Sequence, residues 1–347
     1  MPSRVLSLRA WRLALAGPSV YWFFPIFYVL LSSHIRPSPL GLFGLMMALV
    51  LSASWGFLIN DLADRESDAK SGRQDDIHGH GIGRGRMYAM ILATAGGSWA
   101  IVFAIGGGVP FKVVLAINYL IAFLYSCPPA RLKVRGFWGF LANSLIERPL
   151  PVLVILTYMR YYTAATVLLP VLVELTWSVF KHQAADIKGD SEAKVRTFAV
   201  SLGEAASTRI VESFLNPLSV VALLALTALA LAGAPELRVP LGVVFSVVLV
   251  GALSAYFIER RGSLRVYFTP TDPPYIIFLN LAYRYLLLPV LGVGLALLLP
   301  GYYLLVAFLA VSLAFQLFLY AGLLKKSRSL LSGKGVGNPS STSRPSA

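Results

Sequence analysis

The chain is a succession of apolar runs, each about as long as a bilayer is thick. A membrane-crossing helix needs roughly 20 mostly apolar residues. Runs of that kind fall at 13–33, 40–59, 87–107, 111–127, 137–158, 163–185, 212–233, 238–258, 274–299 and 302–324. Lipid gives the backbone nothing to hydrogen-bond to, so spanning segments are confined to helices or closed barrels. Runs this long specify helices, and the expected fold is an all-α membrane bundle of nine or ten spans. The last two are the ones that could merge, since only Pro300 and Gly301 separate them. Of 347 residues 57% are hydrophobic and 13% charged, against about 25% charged in a soluble domain. Such a chain cannot clothe a water-facing surface, which excludes a soluble enzyme and a nucleic-acid binder. The single Cys127 excludes an internal disulfide framework and a cysteine-based metal cluster. The basic start, MPSRVLSLRAWR, leads into a run long enough to span and reads as a first span rather than a cleavable signal.

The net charge of +14 acquires meaning from where the bases fall. Twenty-four of the thirty Lys and Arg, Lys181 among them, lie in loops on one side of the expected bundle. Only Arg36, Lys112, Arg160 and Arg238 lie on the other. By the positive-inside rule the richer side is cytoplasmic. The reading is an integral, multi-pass protein of the cell membrane with both termini cytoplasmic. Two cytoplasmic connections, 61–86 and 186–211, are long enough to be functional. Residues 325–347, rich in Ser, Gly and basic residues, read as a disordered tail whose start would sit on an anionic leaflet. Residues 1–324 read as a single transmembrane domain.

Ten of the sixteen acids are concentrated in those two connections. At about 100° per residue, Asp61, Asp64 and Asp68 share one helix face, with Asn60 beside them. The second stretch answers position for position: Asn60-Asp61-x-x-Asp64-x-x-x-Asp68 against His182-Gln183-x-x-Asp186-x-x-x-Asp190. This weak internal repeat divides the domain into halves of about 10–160 and 161–324. Carboxylates gathered on one face repel unless a cation joins them, and oxygen-only ligands suit Mg²⁺ shared with a substrate phosphate. Two such faces meeting across a bundle would clamp a diphosphate between two metals. A solvated acidic loop is the bland alternative, but two matched clusters at helix ends argue against it.

With these residues the chain resembles the UbiA superfamily of intramembrane prenyltransferases. NDLADRESD (60–68) and DIKGD (186–190), after the second and sixth apolar segments, are similar to its paired motifs. VRTFAVSLG (195–203) and YSCPPARLKVRG (125–136) resemble two further family segments. The resemblance covers roughly residues 10–300. It implies a UbiA-type bundle whose central cavity is capped by cytoplasmic loops. It also implies two Mg²⁺ held by Asn60, Asp61, Asp64, Asp68, Asp186 and Asp190 on a prenyl diphosphate. Tyr125 and Lys133 would touch that diphosphate or shape its cap. Where the family shows Arg-Pro-Ile and a Gly after its first motif, this chain has QDDIHGHGIGRGR (74–86), leaving Arg73, Arg84 and Arg86 as alternatives for gripping the phosphates.

The implied activity is Mg²⁺-dependent transfer of a farnesyl- or geranylgeranyl-type group to a small, lipophilic or aromatic acceptor within the bilayer. No obligate protein partner is inferable. A membrane terpene cyclase and a non-enzymatic carrier are the alternatives, and broken helices with midplane charge pairs would favour the carrier. Lys133, Arg131 and Lys188 could stabilise charge on the departing diphosphate. Polar residues inside membrane helices usually face a cavity. Glu174, Ser178, His182, Asp186 and Asp190 step by four along the sixth segment, His182 being a substrate-site candidate. Asn143 and Glu147 pair at i, i+4 in the fifth, with Arg148 turned away from Glu147, and Asn280 and Arg284 pair likewise in the ninth. Any of these could meet the acceptor; interhelical polar glue is the competing account. His78 and His80 lack a third zinc ligand, and the glycines at 79, 81, 83 and 85 follow no strand, so neither is read as a zinc or dinucleotide site.

Overall fold

The computed structural model describes residues 18–70, 83–192, 195–260 and 274–331. The first half comprises α1 (Pro18–Ser32), α2 (Pro39–Lys70), α3 (Arg84–Ala104), α4 (Val109–Ser126), α5 (Phe137–Glu147) and α6 (Pro149–Tyr158). The second comprises α7 (Ala165–Thr176), α8 (Val179–Glu192), α9 (Phe198–Leu202), α10 (Glu204–Ile210), α11 (Asn216–Gly233) and α12 (Arg238–Arg260). Then come α13 (Pro274–Ala282), α14 (Leu288–Leu298) and α15 (Tyr303–Leu331). Among the described residues there is no sheet, only one isolated parallel bridge between Gly136 and Thr197. Eight helical stretches among the described residues are long and apolar enough to cross a membrane, and Val20–Ser32 is a shorter apolar helix. The last two apolar runs are distinct: a turn at Pro300–Tyr302 separates α14 from α15, which pack on each other.

An all-round hydrophobic helix has to be enclosed, and α1 is such a helix. Trp22, Phe23, Phe24 and Phe27 are at most 1% exposed, and α2, α6, α11, α14 and α15 surround them. The outer helices present Leu92, Val167, Val239 and Leu297 outward, an apolar perimeter that only lipid can cover.

Several expectations need correcting. The fifth and sixth apolar runs are broken helices. Pro149 forbids helical backbone at the residue before it, and Arg148 (φ −138°, ψ −53°) separates α5 from α6. Trp177 (φ −153°, ψ 73°) separates α7 from α8. The series from Glu174 to Asp190 therefore does not ride on one helix. Arg148 is not turned away from Glu147: with the helix interrupted between them, Arg148 Nη2 lies 3.1 Å from Glu147 Oε2. Lys181 is no loop base, since it is 2% exposed and donates to Ser219 Oγ at 2.8 Å. In the connections at 61–86 and 186–211, residues 61–70, 84–86, 186–192, 198–202 and 204–210 are helical, and α15 continues to Leu331, seven residues into the expected tail. Nothing in LLKKSRSLL breaks a helix before Gly333. The tail beyond 331 lies outside the described residues.

Both breaks meet at one guanidinium. Arg148 Nη1 donates to Glu174 Oε2 at 3.0 Å, while Glu174 Oε1 accepts from the Val179 amide, the first N–H of α8, at 3.0 Å. Arg148 also lies 4.8 Å from the Tyr21 ring centroid. Arg284, on a π-turn between α13 and α14, donates to the Tyr21 hydroxyl at 2.9 Å. Replacing Arg148 by Met would leave Glu147 and Glu174 facing each other without a counter-charge. Loss of one member of a buried ion pair costs about 3–5 kcal/mol, so this variant should melt well below wild type in detergent, with Glu174→Gln milder.

Candidate active site

The first acidic motif is carried out of the bilayer on a continuous helix. Thirty-two residues make α2 about 48 Å long, well beyond a hydrocarbon core of about 30 Å. Its positions Leu49, Ser52, Ala53, Gly56, Phe57, Asn60 and Asp61 recur every three or four residues and form one wall of a cavity. The facing wall comes from Asn118, Ala122, Tyr125 and Ser126 on α4 and from Asn143, Ile146 and Glu147 on α5, with Trp22 and Pro151 completing it. The cavity thus reaches from the acidic end of α2 down among its apolar turns.

The turn after α4 closes over this end. Lys133 Nζ donates to Asn60 Oδ1 at 3.1 Å and to Asp64 Oδ1. Arg131 Nη2 reaches Asp64 Oδ1 at 3.4 Å, and Ser126 Oγ reaches Asn60 Oδ1 at 3.4 Å. Two oxygens of the first motif thus converge on one positive charge. The geometry depends on Gly139: a Cβ there would come within 2.5 Å of the Leu132 carbonyl oxygen and 2.9 Å of Lys133 Cα. Only glycine lets α5 pack directly against the turn that presents Lys133.

The second motif lies on α8. Asp190 is half-buried and Asp186 exposed, and Tyr125 lies within electrostatic range of Asp190, Asp64 and Glu147 together. The segment after α8 is fastened to the Lys133 turn: the Gly136 amide donates to the Arg196 carbonyl at 3.2 Å, and Gly136 bridges Thr197. Phe198 then packs on Phe140 of α5 (centroids 5.6 Å apart) and Phe180 of α8 (5.7 Å). VRTFAVSLG is therefore a clasp joining α5 and α8 to the turn that presents Lys133.

The structure brings together Asn60, Asp61, Asp64, Tyr125, Arg131, Lys133, Asn143, Glu147 and Asp190. Among the described residues it does not draw in His182, Lys188, Arg84 or Arg86. His182 is exposed and accepts from the Trp177 indole N–H, so the repeat does not give it the place of Asn60. Lys188, Arg84 and Arg86 are exposed. Arg73, Lys194, His78, His80 and the Asp68 side chain lie outside the described residues. Among the described residues no three of the His, Cys, Asp and Glu side chains form a ready metal cluster. Sequence reasoning missed Trp22, Ser52, Asn118, Ser126 and Gly139. Asn118 alone carried a signal, as an amide inside an apolar run; the others are unremarkable until the helices pack.

A helical membrane bundle with an acid-rimmed cavity opening toward one charged end is a recognisable class. The sequence model of the UbiA prenyltransferase family matches residues 20–266, and the chain belongs to that family. Its fold is similar to that of a UbiA homolog from Archaeoglobus fulgidus bound to DMAPP and Mg²⁺ (TM-score 0.53, 18% identity, covering 87% of this chain and 99% of that one). The same homolog bound to GPP and Mg²⁺ matches with a TM-score of 0.53 and 19% identity, over 88% and 99% of the chains. No curated protein sequence matches the chain.

Gly139→Ala should lower thermal stability in detergent by the about 1–3 kcal/mol typical of overpacking. Gly242→Ala, where a Cβ meets nothing within 4 Å, serves as the neutral control.

Proposed function

We propose that the protein transfers a farnesyl- or geranylgeranyl-type group from its diphosphate, with Mg²⁺, to a small lipophilic or aromatic acceptor inside the membrane. The observation that carries this reading is the continuity between the acid-and-lysine cap and the cavity beneath it: Asn60 and Asp61 belong to both. Mg²⁺ and prenyl diphosphates bound to the Archaeoglobus homolog support it.

The donors present fit such a metal. Asn60 and Asp64 already turn oxygens to a shared cation, the Lys133 ammonium. With Asp61 and Asp68, and with Asp186 and Asp190 on α8, they would hold two Mg²⁺. Bound there, the metal neutralises the diphosphate and makes it a better leaving group. Lys133 and Arg131 supply further positive charge beside the same oxygens, where negative charge develops on departure. Arg73, Arg84 and Arg86 remain proposed phosphate contacts from the flanking connection, as do Lys188 and His182 from α8. Tyr125 lines the cavity directly under the cap, where an allylic cation forms. Trp22 and Phe57 give that cation aromatic company.

Ser52, Asn118, Asn143 and Glu147 in the same wall weigh against a cyclase, which needs a dry cavity. The helix breaks at Arg148 and Trp177 are features a carrier would also have. Against that reading, Arg148 and Glu174 at the breaks close on one another and neither is among the described lining residues of the cavity.

Membranes given Mg²⁺, radiolabelled geranylgeranyl diphosphate and an acceptor panel should incorporate label, and a chelator should abolish incorporation. Label surviving chelation, or a cyclic product formed without acceptor, would sink the assignment. Lys133→Ala and Asp64→Ala should each cost about 10²–10³-fold in turnover, as expected when a preorganised charge is lost.

The motif end is proposed to face the cytoplasm. Cys127, half-buried just past α4, should therefore react with an impermeant maleimide in inside-out vesicles and resist it in right-side-out cells. Burial pushes this thiol above its usual range while nearby Lys133 draws it back. Labelling should therefore speed up as pH rises through and beyond the ordinary thiol range.

A further inference from the structure

A prenyl tail asks nothing of its cavity beyond apolar surface. This cavity offers more. Below Asn60 and Asp61 its walls carry Ser52, Asn118, Asn143 and Glu147 at membrane depth, where an unanswered polar group is costly. Asn118 is 6% exposed; its amide reaches Ser52 Oγ only at 3.5 Å, and its carbonyl oxygen has no partner among the described residues. The indole N–H of Trp22, 1% exposed, is likewise unpartnered. Glu147 keeps 31% of its side chain exposed, whereas its ion-pair partner Arg148 keeps 5% and is not in the lining. Among the described lining residues there are two carboxylates, Asp61 and Glu147, and no basic side chain.

We infer that Ser52, Asn118, Asn143 and Glu147, with Trp22, form the acceptor subsite, and that it selects a neutral, hydroxyl-bearing acceptor over one carrying a carboxylate or phosphate. The inference rests on the transferase reading above and narrows it. The waiting groups are mainly oxygen acceptors, the Asn118 carbonyl and the Glu147 carboxylate, and a hydroxyl donates to both. A carboxylate or phosphate would bring a like charge to Glu147 in a poorly solvated site whose described lining has no basic side chain, Arg148 being buried behind it on Glu147 and Glu174. The bases that could meet an anion, Lys133 and Arg131, stand at the cap on Asp64, where the diphosphate is proposed to bind.

Matched pairs test this in the full-length, detergent-solubilised protein with Mg²⁺. One pair is 1,4-dihydroxynaphthalene and 1,4-dihydroxy-2-naphthoate; the other is a long-chain 1-O-alkylglycerol and its phosphate. Direct calorimetric binding is measured with and without a non-ionising geranylgeranyl thiolodiphosphate. The analogue's own binding reports the diphosphate site, and the ranking within each pair reports the acceptor subsite. Failure of either is therefore visible separately. In at least one pair the neutral member should bind more tightly than its anionic twin. Anionic twins that bind as well or better in both pairs, or no binding by any of the four, overturn the inference. Asn118→Leu, which leaves the Arg148 pairs intact, should weaken the neutral ligand about fivefold, the value of one buried hydrogen bond, with the analogue's affinity retained. Glu147→Lys should reverse the order within the pair. Unchanged selectivity in both variants also overturns the inference.

Discussion

One buried guanidinium holds the middle of this bundle together. Two helices stop inside the membrane, at Arg148 and at Trp177, and each stop exposes backbone groups that lipid cannot satisfy. Glu174 answers the second by accepting from the Val179 amide with one oxygen, and its other oxygen accepts from the Arg148 guanidinium at the first. Arg148 in turn holds Glu147 at the cavity wall and lies over Tyr21 of the enclosed helix α1. Ion pairs at such depth rarely add stability over a well-packed apolar alternative. What this one does is fix where α5 and α8 point, and those helices carry the wall and the second acidic motif.

The cap follows from that placement. Once α5 is set, Gly139 brings the Lys133 turn against it, and Lys133 falls on Asn60 and Asp64. Once α8 is set, Phe198 fills the gap between Phe140 and Phe180, and Gly136 pairs with Arg196 and Thr197. Four stretches far apart in sequence are thereby tied at one charged end. The cavity below passes without a boundary into that charged cap. This is the arrangement a prenyl diphosphate requires, with an apolar tail below and phosphates among cations above.

Much of this was legible in the residues. Length and hydropathy gave the helical bundle because lipid leaves the backbone almost no choice. The spacing of Asp61, Asp64 and Asp68 placed three acids on one face because the helix period is fixed. Asn143 and Glu147, read as a pair at i, i+4, do share the cavity wall. The errors have a common cause. Placing Arg148 away from Glu147, and running Glu174 to Asp190 along one helix, both assumed unbroken helices. Pro149 signalled the first break; nothing in ELTWSV announced the second, which depends on Glu174 being available as a cap. The repeat misled at His182, because matching letters do not compel matching neighbours: Asn60 found Lys133, whereas His182 found Trp177.

The sequence by itself determined that this chain lives in a bilayer, that its acids gather at helix ends, and to which family those motifs belong. These are properties of composition and of fixed periods, readable one segment at a time. Only the tertiary structure decided that Lys133 sits on Asn60 and Asp64, and that Ser52, Asn118 and Glu147 line one cavity with no basic side chain among its described lining residues. Those arrangements bring together residues up to 95 positions apart. They are set by how whole helices pack, break and cap one another, and no local pattern encodes that.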